Sequence, residues 1–547
     1  MKANRILFLA IILVILASCS EKMDSAAEIP EIKEITGLTE DVYFEQVGQT
    51  KTMGLVEYYD RLLKEATENN ADDTDYLNYI QEQLDSAKLF QQECFEQSGA
   101  NSSGDGPSGN NRALGYQYTT IRYKSIGYDG RHVILSALVV WPFNTLIADP
   151  DANNVIIGCH CTIGSNKERP TNFGDYDYSI QTDVGMMACC AKTYGPGAAY
   201  ENLVIIPDYQ GFGATHGDVH PYLSQTLTAR QVLDGVRAGI AFYQALDGHK
   251  LEKNWKSLSL GYSQGGSVAM AVHRYIEKND LESEFNFAGS VCGNGPYDPL
   301  ATLKKYVDDD KVWMPVSAAM MMYSMCETSH RLKGEHTIDK FLTQKFIDSD
   351  VIELIKAKEI DTDQMQQKLL DYSMKFDTSN TDSLGMWHAD TDGHFHPYRK
   401  NITNVKWKSG YIKTAYARTL DLLTNDCYMY FLHGDIYRID ANKRAPLVQL
   451  EKALNDNVLW KNWTPEHPIF LYHTEEDEVV VVENFRNCLK AWEGSDMVKG
   501  AIYKGRTHTH VNYGKVFFMR TCSEGIKAIF NNKAHEYDFE RIKTGTW

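Results

Sequence analysis

The stretch SLSLGYSQGGSVAMA at residues 257–271 decides the fold. Its first four residues alternate between polar and apolar, which is typical of a strand, and its last five are typical of a helix. Between them, residues 261–265 fit the pattern G-x-S-x-G, whose small flanking residues allow a sharp strand-to-helix turn with an exposed serine hydroxyl. The pattern makes Ser263 the candidate nucleophile. Because the new helix directs its N-terminus at that hydroxyl, the Gln264 N–H is a candidate donor to an oxyanion.

Strand-like segments recur on both sides of this turn. Helical patterns at 227–245 and 267–276 alternate with short apolar runs, which indicates a mainly parallel sheet with helices on both faces. Residues from about 300 to 465 break the alternation and contain no convincing parallel strand, so we predict a helical insertion there. The predicted strands are 116–125, 133–141, 155–161, 203–207, 257–260, 285–291, 469–472 and 501–503, and the helices of the insertion are 312–326, 341–370 and 447–455.

The N-terminus has the features of a targeting segment. Two basic residues precede a purely apolar run at 6–16, which is too short to span a bilayer comfortably. The run ends in Leu16-Ala17-Ser18-Cys19, which resembles a bacterial lipobox. We therefore expect residues 1–19 to be a lipoprotein signal peptide, with Cys19 lipid-modified and the protein anchored in the cell envelope. The Ser that follows Cys19 favours the outer membrane, and an ordinary signal peptide with an incidental Cys is the alternative.

The rest of the chain divides by composition. Residues 20–112 are expected to form a tether up to about residue 50, a helical region at 51–96 and a polar linker. Residues 113–300 and 465–547 are expected to form the catalytic domain, and the insertion at 300–465 a helical cap over its site. Met and aromatic residues at 313–323 suit either the core of this cap or a pocket for acyl chains.

A carboxylate and a histidine should follow the nucleophile along the chain. Asp477 lies in a loop directly after the predicted strand 469–472, where its carboxylate can orient an imidazole. A solvated acidic loop is the alternative, because three Glu residues surround Asp477. His508 and His510 both follow the predicted strand 501–503. We prefer His510 because it is nearer to the predicted closing helix at 515–530, and His508 stays the alternative. A metal site on this pair lacks a third ligand at a suitable spacing.

Several segments together resemble the secretory lipase-like family of α/β hydrolases, which are serine esterases and lipases. The resemblance covers about residues 115–530 and implies the α/β-hydrolase fold with a Ser-Asp-His triad. It also implies a second oxyanion donor in the loop at 160–164, where Cys161 replaces the glycine of the family. Our candidates are the N–H groups of Cys161 and Thr162. The matching patterns are H-G-T-x-G at 160–164, P-D-Y-x-G-x-G at 207–213, H-P-Y-L at 220–223, L-D-x-V-R-A at 233–238 and G-x-S-Q-G-G at 261–266.

Charge and motifs limit the classes of function. A net charge of -18 argues against nucleic acid as a partner, and we expect contact with membranes only through the lipid anchor. We expect a small-molecule ester as substrate, hydrolysed through an acyl-enzyme, with no cofactor and no metal. A serine exopeptidase, a carbohydrate or feruloyl esterase, and a non-catalytic binding lipoprotein are the alternatives. Because a cap limits access to the site, we expect soluble esters with short or medium acyl groups to be preferred over emulsified fats.

Overall fold

The computed structural model describes most of the chain after residue 41. The described residues are 42–69, 74–98, 114–144, 151–175, 183–193, 200–310, 312, 314–375, 387–389, 395–397, 418–434, 438–475, 477, 479–503, 508 and 521–537. The prediction for Cys19 lies outside these residues. Of the linker predicted at 97–112, residues 97 and 98 belong to a helix and the rest lies outside the described residues. None of the described helices combines the length and the apolar character needed to cross a membrane.

One large sheet forms the centre of the described structure, in the order β1-β2-β3-β6-β4-β7-β8-β11-β12, with β5 paired to β6. The three strands at one edge pair antiparallel, and β6, β4, β7, β8, β11 and β12 pair parallel to one another. The strands are β1 (Phe44–Gly54), β2 (Leu114–Ile126), β3 (His132–Asn144), β4 (Asn154–Cys159), β5 (Lys192–Thr193), β6 (Tyr200–Pro207), β7 (Ser257–Tyr262), β8 (Phe287–Gly293), β9 (Trp387–Ala389), β10 (Phe395–Pro397), β11 (Ile469–Thr474) and β12 (Val498–Tyr503).

Helices cover both faces of the sheet, so neighbouring residues of a central strand enter opposite cores. In β4, Ile157 packs with α4 and α5 on one face, whereas Ile156 joins the core that contains α1 and α16. The helices are α1 (Leu55–Asn69), α2 (Thr74–Ser98), α3 (Asp183–Ala188), α4 (Gln225–Ala245), α5 (Gln264–Lys278), α6 (Glu282–Phe285), α7 (Pro299–Asp309), α8 (Pro315–Thr328), α9 (Gln344–Ile347), α10 (Val351–Ala357), α11 (Thr362–Lys375), α12 (Thr419–Leu422), α13 (Asn425–His433), α14 (Ala441–Asp456), α15 (Glu483–Ala491) and α16 (Ser523–Phe530).

The N-terminal region differs from the sequence analysis. Residues 44–54, placed in the tether and in the helical region, form strand β1, which pairs with β2 from Phe44 opposite Tyr123 to Gly54 opposite Gly115. Most of β1 is polar and exposed. The strand is therefore held by backbone pairing at the sheet edge and carries little of the hydrophobic pattern that would have revealed it.

The insertion between β8 and β11 is mainly helical, as predicted, and carries the small antiparallel pair β9–β10. It has a hydrophobic core of its own, in which Met322, Phe341 and Leu450 are fully buried. The single helix expected at 341–370 is instead divided into α9, α10 and α11. Asp350 and Lys358 interrupt it with φ angles of 63° and 52°, which lie in the left-handed region that a helix cannot contain.

Candidate active site

Ser263 occupies the sharp turn between β7 and α5. Its backbone has φ 57° and ψ −127°, and its N–H donates to Gly293 O at 2.9 Å. A non-glycine residue in such a conformation costs on the order of 1–3 kcal/mol and is typical of functional sites. The flanking glycines are required by close contact, because a Cβ would lie 2.3 Å from Gly265 O at position 261 and 2.0 Å from Cys159 O at position 265.

His508 bridges Ser263 and Asp477. Its Nε2 lies 2.8 Å from Ser263 Oγ, and its Nδ1 lies 2.7 Å from Asp477 Oδ2. With the Nδ1 proton donated to the carboxylate, Nε2 is the nitrogen that accepts the proton of the serine hydroxyl. The Asp477 side chain is fully buried, and its Oδ1 accepts hydrogen bonds from the N–H groups of Val479 at 2.9 Å and Val480 at 2.6 Å.

The histidine in this position is not the one that the sequence analysis preferred. His508 makes both contacts that were expected of His510, and His510 lies outside the described residues. The imidazole with the contacts expected of the candidate histidine is therefore that of His508, and the choice of His510 is corrected to His508. A further contact fixes the histidine, since the Tyr262 hydroxyl donates to His508 O at 3.2 Å.

Asn294 is a site residue that the sequence analysis missed. It follows β8 with φ 43°, and its Nδ2 donates to Asp477 Oδ2 at 2.6 Å and to Thr474 Oγ1 at 2.7 Å. Its N–H donates to Tyr472 O at 2.9 Å. Asn294 therefore binds the carboxylate oxygen that His508 also contacts, whereas the two backbone N–H groups bind the other oxygen. The only sequence signal is a polar residue between two glycines at the carboxyl end of a parallel strand.

The first oxyanion donor candidate is held by a buried hydrogen-bond chain. Gln264 is the first residue of α5. The first N–H groups of a helix have no acceptor within the helix, and the Gln264 N–H is one of them. Gln264 Nε2 lies 2.9 Å from His220 Nε2, and His220 Nδ1 lies 2.8 Å from Gln210 O. Burial lowers the pKa of His220 to about 3, so the ring is neutral, donates through Nδ1 and accepts from Gln264.

A carboxylate decides between the two candidates for the second oxyanion donor. The Cys161 N–H donates to Asp183 Oδ2, so the prediction of Cys161 as an oxyanion donor is corrected. Burial raises the pKa of Asp183 to about 6, although this hydrogen bond acts in the opposite direction. Among the described residues, no acceptor is bonded to the Thr162 N–H, and Thr162 Oγ1 lies 2.9 Å from the Tyr222 hydroxyl. Thr162 is therefore the donor candidate of this loop.

Ser263 and His508 open into a cavity of about 280 Å³ between the sheet and the insertion, which we call the catalytic cavity. The sheet side contributes Thr162 and Tyr262, and the insertion contributes residues of α7, α8 and α11. Much of the lining is apolar and includes Leu223, Met321 and Val480. In the Met-rich segment, Met321 and Met322 both belong to the core of the insertion, and Met321 also lines the catalytic cavity.

One group of side chains in the described residues has the composition of a metal site. The ligand atoms of His273, Glu277 and His467 lie within 4.8 Å of one another. Glu277 already accepts hydrogen bonds from His273 Nε2 at 2.8 Å, His467 Nδ1 at 2.9 Å and Trp463 Nε1 at 2.7 Å. The backbone N–H groups of Glu466 and His467 also donate to it. The group is therefore satisfied as a structural network that ties α5 to the segment before β11.

Comparison with known proteins supports the fold. No protein-family model matches the sequence, and no curated protein matches it. The esterase LipA of Xanthomonas oryzae, which degrades the rice cell wall, is 18% identical with a TM-score of 0.54, over 77% of this chain and 92% of its own. A protein of Legionella pneumophila assigned as a hydrolase is 14% identical with a TM-score of 0.52, over 80% of this chain and 95% of its own. At such identities the likeness concerns architecture, and the chain has the α/β-hydrolase fold.

Proposed function

We propose that this protein is a serine hydrolase that cleaves carboxylic esters through an acyl-enzyme. The observation that carries the proposal is the continuous chain of contacts from Ser263 Oγ through His508 to the buried Asp477 carboxylate. Ser263 and His508 of this chain line the catalytic cavity. In this arrangement a histidine can remove the proton of the serine hydroxyl while the carboxylate holds the imidazole in the required tautomer.

The reaction follows from these positions. Ser263 Oγ attacks the ester carbonyl carbon while its proton passes to His508 Nε2, and Asp477 stabilises the imidazolium. The negative charge on the former carbonyl oxygen is stabilised by the N–H groups of Gln264 and Thr162. His508 then gives the proton to the leaving alcohol, and the acyl group stays on Ser263. Water, activated by the same histidine, releases the carboxylic acid.

The lining of the catalytic cavity supports an ester with an acyl chain as substrate. Leu223, Met321 and Val480 offer apolar contacts next to Ser263. The esterase activity of the X. oryzae protein with the same fold points in the same direction, as an analogy between folds. Carbohydrate and feruloyl esters differ mainly in the alcohol or acid that this cavity must accommodate, and aminoacyl amides would identify an exopeptidase.

The experiment is labelling with a fluorophosphonate probe followed by a series of nitrophenyl esters from acetate to palmitate. We expect one labelled serine and a maximum of kcat/KM at short or medium acyl chains, because helices of the insertion form one wall of the cavity. Acetylated sugars, feruloyl esters and aminoacyl amides serve as the comparison substrates. Absence of labelling would contradict the proposal. A maximum at palmitate with activation at a lipid interface would instead identify a true lipase.

We also propose that the protein is anchored in the cell envelope by lipid on Cys19, with the outer membrane as its location. Replacement of Cys19 by Ser removes the thiol that the acyl anchor requires, so the protein should move from the membrane fraction to the soluble fraction. The measurement is fractionation with a salt wash, and Cys94→Ser is the control with the same chemical change elsewhere. A Cys19→Ser variant that still sediments with membranes would refute the anchor.

A further inference from the structure

A second cavity, of about 260 Å³, lies beside the catalytic cavity. We call it the cap cavity, and its apolar lining consists of Phe212, Val219, Met320, Tyr323, Ile355 and Met365. The proposed reaction uses none of these residues.

The two cavities are lined by adjacent residues of the same two helices. In α8, Met321 lines the catalytic cavity and Met320 lines the cap cavity. In α11, Gln366 lines the first and Met365 the second. The cavities therefore lie side by side, and among the described lining residues only Tyr222 belongs to both.

Tyr222 is held firmly in this position. Its side chain is buried, and its hydroxyl lies 2.9 Å from Thr162 Oγ1. Burial raises the pKa of this hydroxyl, and its interaction with the Ser317 side chain of α8 acts in the opposite direction. Tyr222 is thus linked to the oxyanion loop by its hydroxyl and to the insertion by the hydrophobic core in which its side chain is buried.

The interior of the cap cavity suits an alkyl chain, because the polar groups at its wall are already paired. Lys358 Nζ donates to His216 O at 2.9 Å, and Lys356 Nζ donates to Glu353 at 2.7 Å. The Asp218 carboxylate accepts from Gln210 Nε2 at 3.0 Å. An apolar chain that enters this cavity would leave these three pairs in place, so none of these charged groups would lose its hydrogen-bonding partner.

We propose that Tyr222 is the partition that limits the acyl chain to the catalytic cavity, and that the cap cavity is an extension of the acyl site which opens when this side chain is removed. The inference rests on the proposed ester hydrolysis, since the chain in question is the acyl chain on Ser263.

The test compares the kcat/KM ratio of nitrophenyl laurate to nitrophenyl butyrate in the parent protein and in Tyr222→Ala. Each methylene that moves from water into an apolar cavity gains roughly fourfold, the equivalent of about 0.8 kcal/mol. We expect the ratio to rise by about tenfold or more. Tyr222→Phe is the matched control, because it keeps the ring, loses only the hydroxyl and should leave the ratio unchanged.

A second substitution tests whether the gain comes from the cap cavity. Ile355→Phe fills that cavity, so by itself it should leave the laurate-to-butyrate ratio at the value of the parent. In the double variant with Tyr222→Ala, it should abolish the rise of this ratio. Should Tyr222→Ala not fold, Tyr222→Leu removes the same ring with a smaller loss of volume.

Two results would overturn the role of Tyr222 as a partition. The first is an unchanged ratio in a folded Tyr222→Ala or Tyr222→Leu variant, and the second is a fall of the laurate-to-butyrate ratio in Ile355→Phe alone. The second would mean that the cap cavity is already open in the parent. Both results require a parent that hydrolyses short esters. A parent that hydrolyses no ester and takes no fluorophosphonate label would contradict the proposed function instead.

Discussion

Replacement of Ser263 by Ala is expected to lower kcat for nitrophenyl butyrate by about 10⁴-fold or more. The substitution removes only the hydroxyl oxygen that lies 2.8 Å from His508 Nε2 and that we propose as the nucleophile. The fold should persist, because Ala keeps the Cβ and the backbone N–H that donates to Gly293 O. The measurement is steady-state hydrolysis together with a thermal melt, and fluorophosphonate labelling should be lost as well.

Ser267→Ala is the matched control. Ser267 is buried one helical turn further along α5, and its hydroxyl donates to Gln264 O at 2.8 Å. The control therefore removes a buried serine hydroxyl from the same helix without touching the reacting atoms, and we expect activity within about tenfold of the parent. Retention of more than a few per cent of activity in Ser263→Ala would place the nucleophile elsewhere.

The strand-to-helix turn at Ser263 and the parallel sheet could be predicted because their signals are local. The pattern G-x-S-x-G joins a strand to a helix within a few residues, and a strand covered on both faces is a continuous apolar run. In β4, β7 and β11 every residue is buried, and the sequence analysis located all three strands. In contrast, β1 is stabilised by backbone pairing to a strand about 70 residues later, which its own side chains do not reveal.

The contacts that the sequence could not reveal join residues that are far apart along the chain. Asn294 and Asp477 are 183 residues apart, so the hydrogen bond between them depends on the adjacent positions of β8 and β11 in the sheet. The bond from the Cys161 N–H to the Asp183 carboxylate spans 22 residues, part of which lies outside the described structure. Because the motif does not show that the Cys161 N–H is bonded to Asp183, the choice between Cys161 and Thr162 as oxyanion donors could not be made from the motif alone.

The choice between His508 and His510 failed for a related reason. The two candidates are two residues apart in the sequence, and the preference for His510 rested on its shorter distance to the predicted closing helix. In the described structure His508 lies against Tyr262, whose hydroxyl donates to the His508 backbone carbonyl, and the imidazole reaches both Ser263 and Asp477. A spacing of two residues in a loop cannot indicate which side chain turns towards the nucleophile.

His508→Ala is accordingly expected to match the Ser263→Ala defect, with a loss in kcat of about 10⁴-fold, whereas His510→Ala should stay within about tenfold of the parent. Without the imidazole, no group takes the proton from Ser263 Oγ or returns one to the leaving alcohol. The double variant Ser263→Ala/His508→Ala should be no worse than either single one, because residues that act as a unit are not additive. His510→Ala is the matched control, since it removes the same side chain from the same loop. A severe loss in His510→Ala with a mild loss in His508→Ala would restore the assignment made from the sequence, and losses that add in the double variant would separate His508 from the chemistry of Ser263.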